Sequence, residues 1–251
     1  MCRSRLGTGG CAHALILPRG AAPRRAASMT EAHSLTLYSY WRSSAAYRVR
    51  IALNLKGLAY ATVPVHLVRG GGEQRHPEYS ALNPQELVPT LVHGDRSISQ
   101  SLAIIEYLDE IFLPSRLLPG DARGRARVRA LAQLVASDIH PLNNLRVLRY
   151  FEQAWNVPQS ERDEWVRHWI VEGFGALEKL VSENVATGDF CHGDSPGLAD
   201  CCLVPQVFNA RRFGVDMSAF PALVRIDTAC AELPAFASAH PARQPDAPEA
   251  N

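Results

Sequence analysis

The chain has 251 residues, 47% of them apolar, enough to bury the core of one large domain or two ordinary ones. Its formal net charge of +1 gives no reason to expect a nucleic-acid partner, and no apolar run approaches the roughly 18 to 20 residues needed to span a bilayer. The balance conceals an asymmetry, because residues 1–30 carry Arg3, Arg5, Arg19, Arg24 and Arg25 and no acidic residue.

That first segment reads as an organellar transit peptide or as a leader translated from an overcalled start. Met29, just before the first strand, favours the overcalled start. The Ala12–Leu17 run makes a poor secretory core, since it is short and Pro18-Arg19 stands where a small-residue cleavage site belongs. Six cysteines (Cys2, Cys11, Cys191, Cys201, Cys202, Cys230) form no C-x-x-C pair and no metal-ligand spacing. They are expected to be reduced, mostly buried thiols of a cytoplasmic protein.

Residues 35–39 alternate as a strand, and a helix over 44–57 places Tyr47, Ile51 and Leu55 at helical spacing before Lys56-Gly57 ends it. A strand at 60–67 leads through Gly70-Gly71-Gly72 to a weak helix near 73–81. Strands at 88–93 and 96–99, joined by His93-Gly94-Asp95, read as a hairpin. The next helix, from Ser101, sets Leu102, Ile105, Leu108 and Phe112 on one face. After a linker-like stretch the periodicity is helical throughout, over 121–152, 160–183, 198–212 and 221–233, and His240 begins a proline-rich tail. The predicted organisation is an extension over 1–28, an α/β domain of order β-α-β-α-β-β-α over 29–113, a linker over 114–120, an all-α domain over 121–239 and a tail over 240–251.

The turn Trp41-Arg42-Ser43-Ser44 is the first candidate site. A helix start carries unpaired N–H groups and about half a positive charge. A serine there can cap a backbone N–H, or can donate to a thiolate held at the terminus, and the residues alone leave both roles open.

The element order, with Val88-Pro89 ahead of the third strand and a helical second half, resembles the glutathione transferase superfamily. Ser43-Ser44 followed by Arg48-Val49-Arg50-Ile51-Ala52-Leu53 is similar to the zeta class of that family. So are Ala81-Leu82-Asn83-Pro84 through Leu91, and Gln100-Ser101-Leu102 through Leu108. The second half agrees at Asp138-Ile139-His140-Pro141-Leu142-Asn143-Asn144, at Leu203–Val207 and from His240 to Pro248, so the resemblance covers about residues 34 to 248.

This resemblance implies a thioredoxin-like domain followed by a helical domain, a cis proline at 89, a homodimer and glutathione as cofactor. Ser43 is implied as the activator of the glutathione thiol. Ser44, Gln74, Val88, Gln100 and Ser101, with His140, Asn144 and Arg146 across the cleft, are implied to line the glutathione or substrate site. The implied reaction is cis-trans isomerisation of an enedioate-type acid, with Arg42, Arg146 and Arg212 as candidate carboxylate anchors and Arg211 leaving the assignment of Arg212 ambiguous by one position. Maleylacetoacetate is the favoured substrate, Leu145 leaving one arginine fewer beside Arg146 than maleylpyruvate would call for. Maleylpyruvate isomerase, a general transferase and a non-catalytic binding protein are the alternatives.

Two departures stand out. Ala45 occupies the place of a family cysteine, so the nucleophilic sulfur must come from glutathione. Bringing a thiol's pKa from about 8.5 to about 6.5 takes about 2.7 kcal/mol, within reach of one charge-assisted hydrogen bond and a helix terminus. Gly197 replaces the usual serine or threonine ahead of Asp200, whose expected role is structural.

Overall fold

A computed structural model describes residues 34–248, and the predicted extension with Cys2 and Cys11 lies outside the described residues. The first half comprises β1 (Leu35–Ser39), α1 (Ser44–Leu55), β2 (Ala61–Pro64), α2 (Pro77–Leu82), β3 (Thr90–His93), β4 (Arg96–Ser99) and α3 (Ser101–Ile111). The sheet order is β2-β1-β3-β4, with β1 parallel to β2 and antiparallel to β3, and β3 antiparallel to β4. Leu37 faces Leu91, and Leu91 faces Ile98. The two-residue strand period therefore sends Leu35, Leu37 and Leu91 into one core with Val49, Ile51 and Leu53 of α1 and Ile104, Ile105 and Leu108 of α3. The opposite face is closed by a smaller cluster of Tyr40, Val65, Tyr79 and Val88. This is the expected thioredoxin-like arrangement, and Val88–Pro89 is cis as the resemblance implies, as is Leu113–Pro114.

The second half is helical: α4 (Ala122–Gln133), α5 (Leu145–Trp155), α6 (Gln159–Ser182), α7 (Leu198–Arg212), α8 (Pro221–Ala231) and α9 (Pro234–Ala239). α7 is the central rod. It is buried along most of its length and packs on α1, α4 and α8, so both halves share one core.

The predicted helix over 121–152 is interrupted. α4 stops at Gln133, a π-helical stretch covers Leu134–Ile139, a 3-10 turn covers His140–Asn143, and α5 restarts behind Asn144. Pro141 explains the break, because it has no N–H to donate and its ring crowds the carbonyl four residues back. A π turn widens the spiral there and resolves that crowding. α6 fits closely over the bulge at Gly173, where a Cβ would stand 2.3 Å from Ile139 Cδ1.

The linker is held from three sides. The Lys56 ammonium, 1% exposed, meets Asp109 Oδ1 at 3.2 Å and donates to the Ser115 carbonyl, while Asp109 accepts the Leu117 N–H at 2.6 Å. The Leu117 carbonyl takes the first free N–H of α7, that of Leu198, at 2.9 Å. A Cβ on residue 197 would lie 2.7 Å from that carbonyl, which accounts for glycine in this chain. Asp200 accepts from Gly197 N–H and Cys191 N–H at 2.8 Å each, the structural role expected of it.

Two further differences concern the C-terminal end. α9 has no counterpart among the predicted elements, its six residues being too few for a periodic signal. The predicted tail turns back onto the start of α1, with the His240 ring edge-on to Tyr47 and Phe208.

Candidate functional site

A cleft of about 760 Å³ opens between the halves of the fold. From the first half it is lined by Tyr40, Arg42, Ser43, Ser44, Gln74 and Val88, and from the second by His140, Asn144, Arg146 and Arg212. Of the residues expected at the site, Gln100 and Ser101 alone do not line it.

Ser43 is the N-cap of α1: its Oγ accepts the Ala46 N–H at 3.2 Å. An accepting hydroxyl keeps its own proton, so capping and donation into the cleft coexist at this side chain. Among the described residues no cysteine lines the cleft, and Cys191, Cys201, Cys202 and Cys230 are free and buried. Burial also raises the thiol pKa of all four, so none is poised as a nucleophile.

The Gly70–Gly72 loop brings Gln74 to the wall. His66 and Glu73 pinch its base, each backbone N–H bonding toward the other residue, at 2.7 Å to Glu73 Oε2 and 2.8 Å to the His66 carbonyl. Gly72, at φ 112°, lies where a Cβ would meet the Gln74 amide at 2.6 Å. Gln74 is buried, and its Oε1 has no hydrogen-bond partner among the described residues. Val88 sits just before the β1–β3 ladder, whose last pair is Tyr38 with Thr90, so its backbone polar groups lie beyond the sheet.

Ser101 turns inward instead, 6% exposed, its Oγ accepting from Arg48 Nη1 at 3.2 Å. Gln100 reaches the cleft only indirectly, through Nε2 on Oε1 of the lining residue Gln85 at 2.7 Å.

The interruption after α4 supplies the opposite wall. His140 faces the cleft from the 3-10 turn, its pKa pushed down to about 3 by burial and by the Arg48 guanidinium, so the ring is neutral. Asn144 caps α5 through Oδ1 on the Arg146 N–H at 3.0 Å. Asn143, beside it, belongs to the family-like run but is not named from it as a site residue; it lines the cleft, and among the described residues both of its amide atoms are buried without partners.

At the mouth, Arg212 is held in place by Asn209 Oδ1 at 2.8 Å and by stacking over Phe213 at 4.3 Å. Arg211 points elsewhere, onto Asp227 Oδ2 at 2.6 Å, so Arg212 is the member of the pair that faces the cleft. Burial lowers the Arg212 pKa, and the positive charge of Arg42 lowers it further. Both cations line the cleft, and the carboxylate of Asp163, another lining residue, acts on Arg212 in the opposite sense, although among the described residues neither arginine is hydrogen-bonded to a carboxylate. Arg75, Arg149 and Arg162 also line the cleft and were not expected there. Arg162 is taken up by Glu152 at 2.8 Å and Arg149 by the Leu67 carbonyl at 3.0 Å.

Comparison with known proteins agrees with this architecture. Residues 37–116 match the family model described as glutathione S-transferase, N-terminal domain. The chain is 53% identical over 214 residues to a probable maleylacetoacetate isomerase of Vibrio cholerae, covering 85% of this chain and 99% of that one. Among solved structures, a maleylpyruvate isomerase described as a bacterial zeta-class glutathione S-transferase superposes with a TM-score of 0.82 at 47% identity, covering 85% and 100% of the two chains. A maleylacetoacetate isomerase from Methylobacterium extorquens, with bound malonate and glutathione, gives a TM-score of 0.82 at 44% identity over 85% and 99%. The fold, the cleft between its halves and this degree of identity over nearly the whole described chain lead to one assignment: the protein belongs to the zeta class of the glutathione S-transferase family.

Proposed function

We propose that the protein is a glutathione-dependent cis-trans isomerase that converts maleylacetoacetate to fumarylacetoacetate in aromatic amino-acid catabolism. The observation that carries this reading is that Arg42 and Arg212 both line a cleft that also contains a serine-capped helix start. Paired guanidinium groups suit a dicarboxylate. The Methylobacterium relative supports this, since the malonate bound with its glutathione is itself a small dicarboxylate.

The residues present fit glutathione. Ser43 has a hydroxyl proton to give, Gln74 Oε1 is a buried acceptor without a hydrogen-bond partner among the described residues, and Val88 presents its backbone beyond the ladder. When bound, glutathione would supply the sulfur nucleophile whose addition turns the cis double bond into a single bond free to rotate and whose expulsion restores the double bond as trans. Ser43 donates its O–H toward that sulfur, and the N-terminal dipole of α1 favours the negative charge there. With Ala45 beside it, no protein thiol competes for the place. Arg42 and Arg212 bind and orient the substrate carboxylates, and Asn209 and Phe213 fix the direction of the second guanidinium. His140 is neutral and lines the wall as a polar, uncharged group.

Maleylpyruvate is the second reading, favoured by the 47% identity to a solved maleylpyruvate isomerase. Both substrates present the same enedioate end to Arg42 and Arg212, so turnover of each, measured side by side with glutathione, decides between them. We further propose a cytoplasmic homodimer. Free, buried thiols support the first part, and no helix among the described residues is long and apolar enough to cross a membrane. Sedimentation of the purified protein at the mass of two chains is the expected result for the second.

A further inference from the structure

The turn that delivers Ser43 is fixed from the far end of the chain. Tyr40 to Ser43 form a β-turn closed by the Ser43 N–H on the Tyr40 carbonyl at 3.0 Å. Such a turn leaves the backbone groups of its second residue unpaired, yet Trp41 is held at both. Its N–H donates to Asp246 Oδ2 at 2.9 Å, from 205 positions away in sequence. Its carbonyl accepts from Arg50 Nη2 at 3.1 Å, and Arg50 Nε donates at 3.1 Å to the Ala239 carbonyl, at the end of α9. Arg50 is fully buried, and its Nη1 bonds Ser39 Oγ at 3.1 Å and the Tyr40 carbonyl at 3.4 Å.

The segment that carries Asp246 is itself well braced. Gln244 Nε2 donates to the Ser238 and His240 carbonyls at 3.1 and 3.0 Å, and the Ala247 N–H returns to the Gln244 carbonyl at 3.0 Å. His240 Nδ1 accepts the Ala242 N–H at 3.2 Å. Asp246 does not line the cleft. Its carboxylate therefore reaches the site through the Trp41 N–H that it bonds and through its charge on Arg50, which bonds the carbonyls of the same turn. A backbone N–H on a carboxylate is among the stronger hydrogen bonds, and a small misplacement of a catalytic group costs rate out of proportion to its size.

We infer that Asp246 is a positioning residue, holding through the Trp41 N–H the turn that aims the Ser43 hydroxyl at the glutathione sulfur. The inference rests on the role of Ser43 proposed above.

The test compares Asp246→Ala and Asp246→Asn with the wild-type full chain. Asparagine keeps a carbonyl oxygen for the Trp41 N–H and removes the charge, while alanine removes both. In the glutathione-free protein, Asp246→Ala should speed deuterium exchange at residues 40–43. With glutathione bound, it should lower the ultraviolet thiolate absorbance at fixed pH and reduce kcat by about tenfold, leaving KM for the diacid within about twofold. Asp246→Asn, which keeps a weaker neutral acceptor, should fall between wild type and Asp246→Ala in all of these. Faster exchange in Asp246→Ala with unchanged thiolate signal and kcat would overturn the inference, as would a change confined to the thermal midpoint or an equal loss in both variants. Exchange and thiolate readouts need no diacid, so turnover by the wild-type chain tests the isomerase reading separately.

Discussion

A hydroxyl can accept and donate at the same time, and Ser43 has use for both capacities. Ser43→Ala removes the α1 cap and the donor together, so stability should fall by about 1 kcal/mol while kcat falls by about 10- to 100-fold. Steady-state rates beside thermal melts separate the two effects, and near-normal rates would reduce Ser43 to a cap. Arg212→Lys keeps the charge and loses the planar fork, so KM for the diacid should rise by about tenfold with little change in glutathione affinity measured by calorimetry. His140 provides a test in pH. Its folded pKa of about 3 lies below the ordinary 6.5, so the unfolded chain binds the extra proton first. The stability its neutral ring contributes is complete above about pH 6.5 and is lost progressively as the pH falls toward 3. His140→Gln should flatten that limb of a plot of thermal midpoint against pH, and an unchanged limb would contradict the assignment. Which residues line the cleft was legible beforehand for most of those named. The helix start at Ser43 is a local signal that the sequence displays, whereas Arg42, Gln74 and Arg212 were named through the family resemblance, and which of Arg211 and Arg212 lines the cleft became visible only with Asp227 claiming its neighbour. The inward turn of Ser101 was not legible, because its partner, Arg48, lies 53 positions away.

Elements were legible where periodicity is uninterrupted and hidden where a single residue overrides it. The strands and α1, α3, α6, α7 and α8 follow their apolar spacing closely. The wall carrying His140, Asn143 and Asn144 does not, because the pattern around Pro141 still reads as helix while the backbone loosens into π and 3-10 turns. Asn143 faces the cleft for that reason, which no count of spacing discloses. α6 is shaped to this bulge at Gly173, and the geometry makes a prediction against helix propensity. Gly173→Ala would favour an isolated helix by about 1 kcal/mol, but its Cβ would press on Ile139 and should destabilise the protein by about 1 to 3 kcal/mol net. Urea titration measures it, and a stabilised variant would show that the bulge yields without cost.

At the scale of the whole molecule the two halves are one structure with a cleft between them. The core is continuous through α1 and α7, the linker is fastened by Lys56 and Asp109, and the last described residues return to brace the first turn. An active site drawn from residue 40 to residue 213 depends on that continuity. Its main outline was visible in the order of elements, while the return of the C-terminal segment was not, since its contacts are single hydrogen bonds of great sequence separation. The central claim is that this cleft uses glutathione to isomerise a cis diacid. Its most direct test is a spectrophotometric assay of the purified protein with maleylacetoacetate and with maleylpyruvate, each with and without glutathione. The account predicts glutathione-dependent conversion to the trans isomer, faster with maleylacetoacetate. Absence of turnover of both substrates in the presence of glutathione, or equal rates without it, would contradict it.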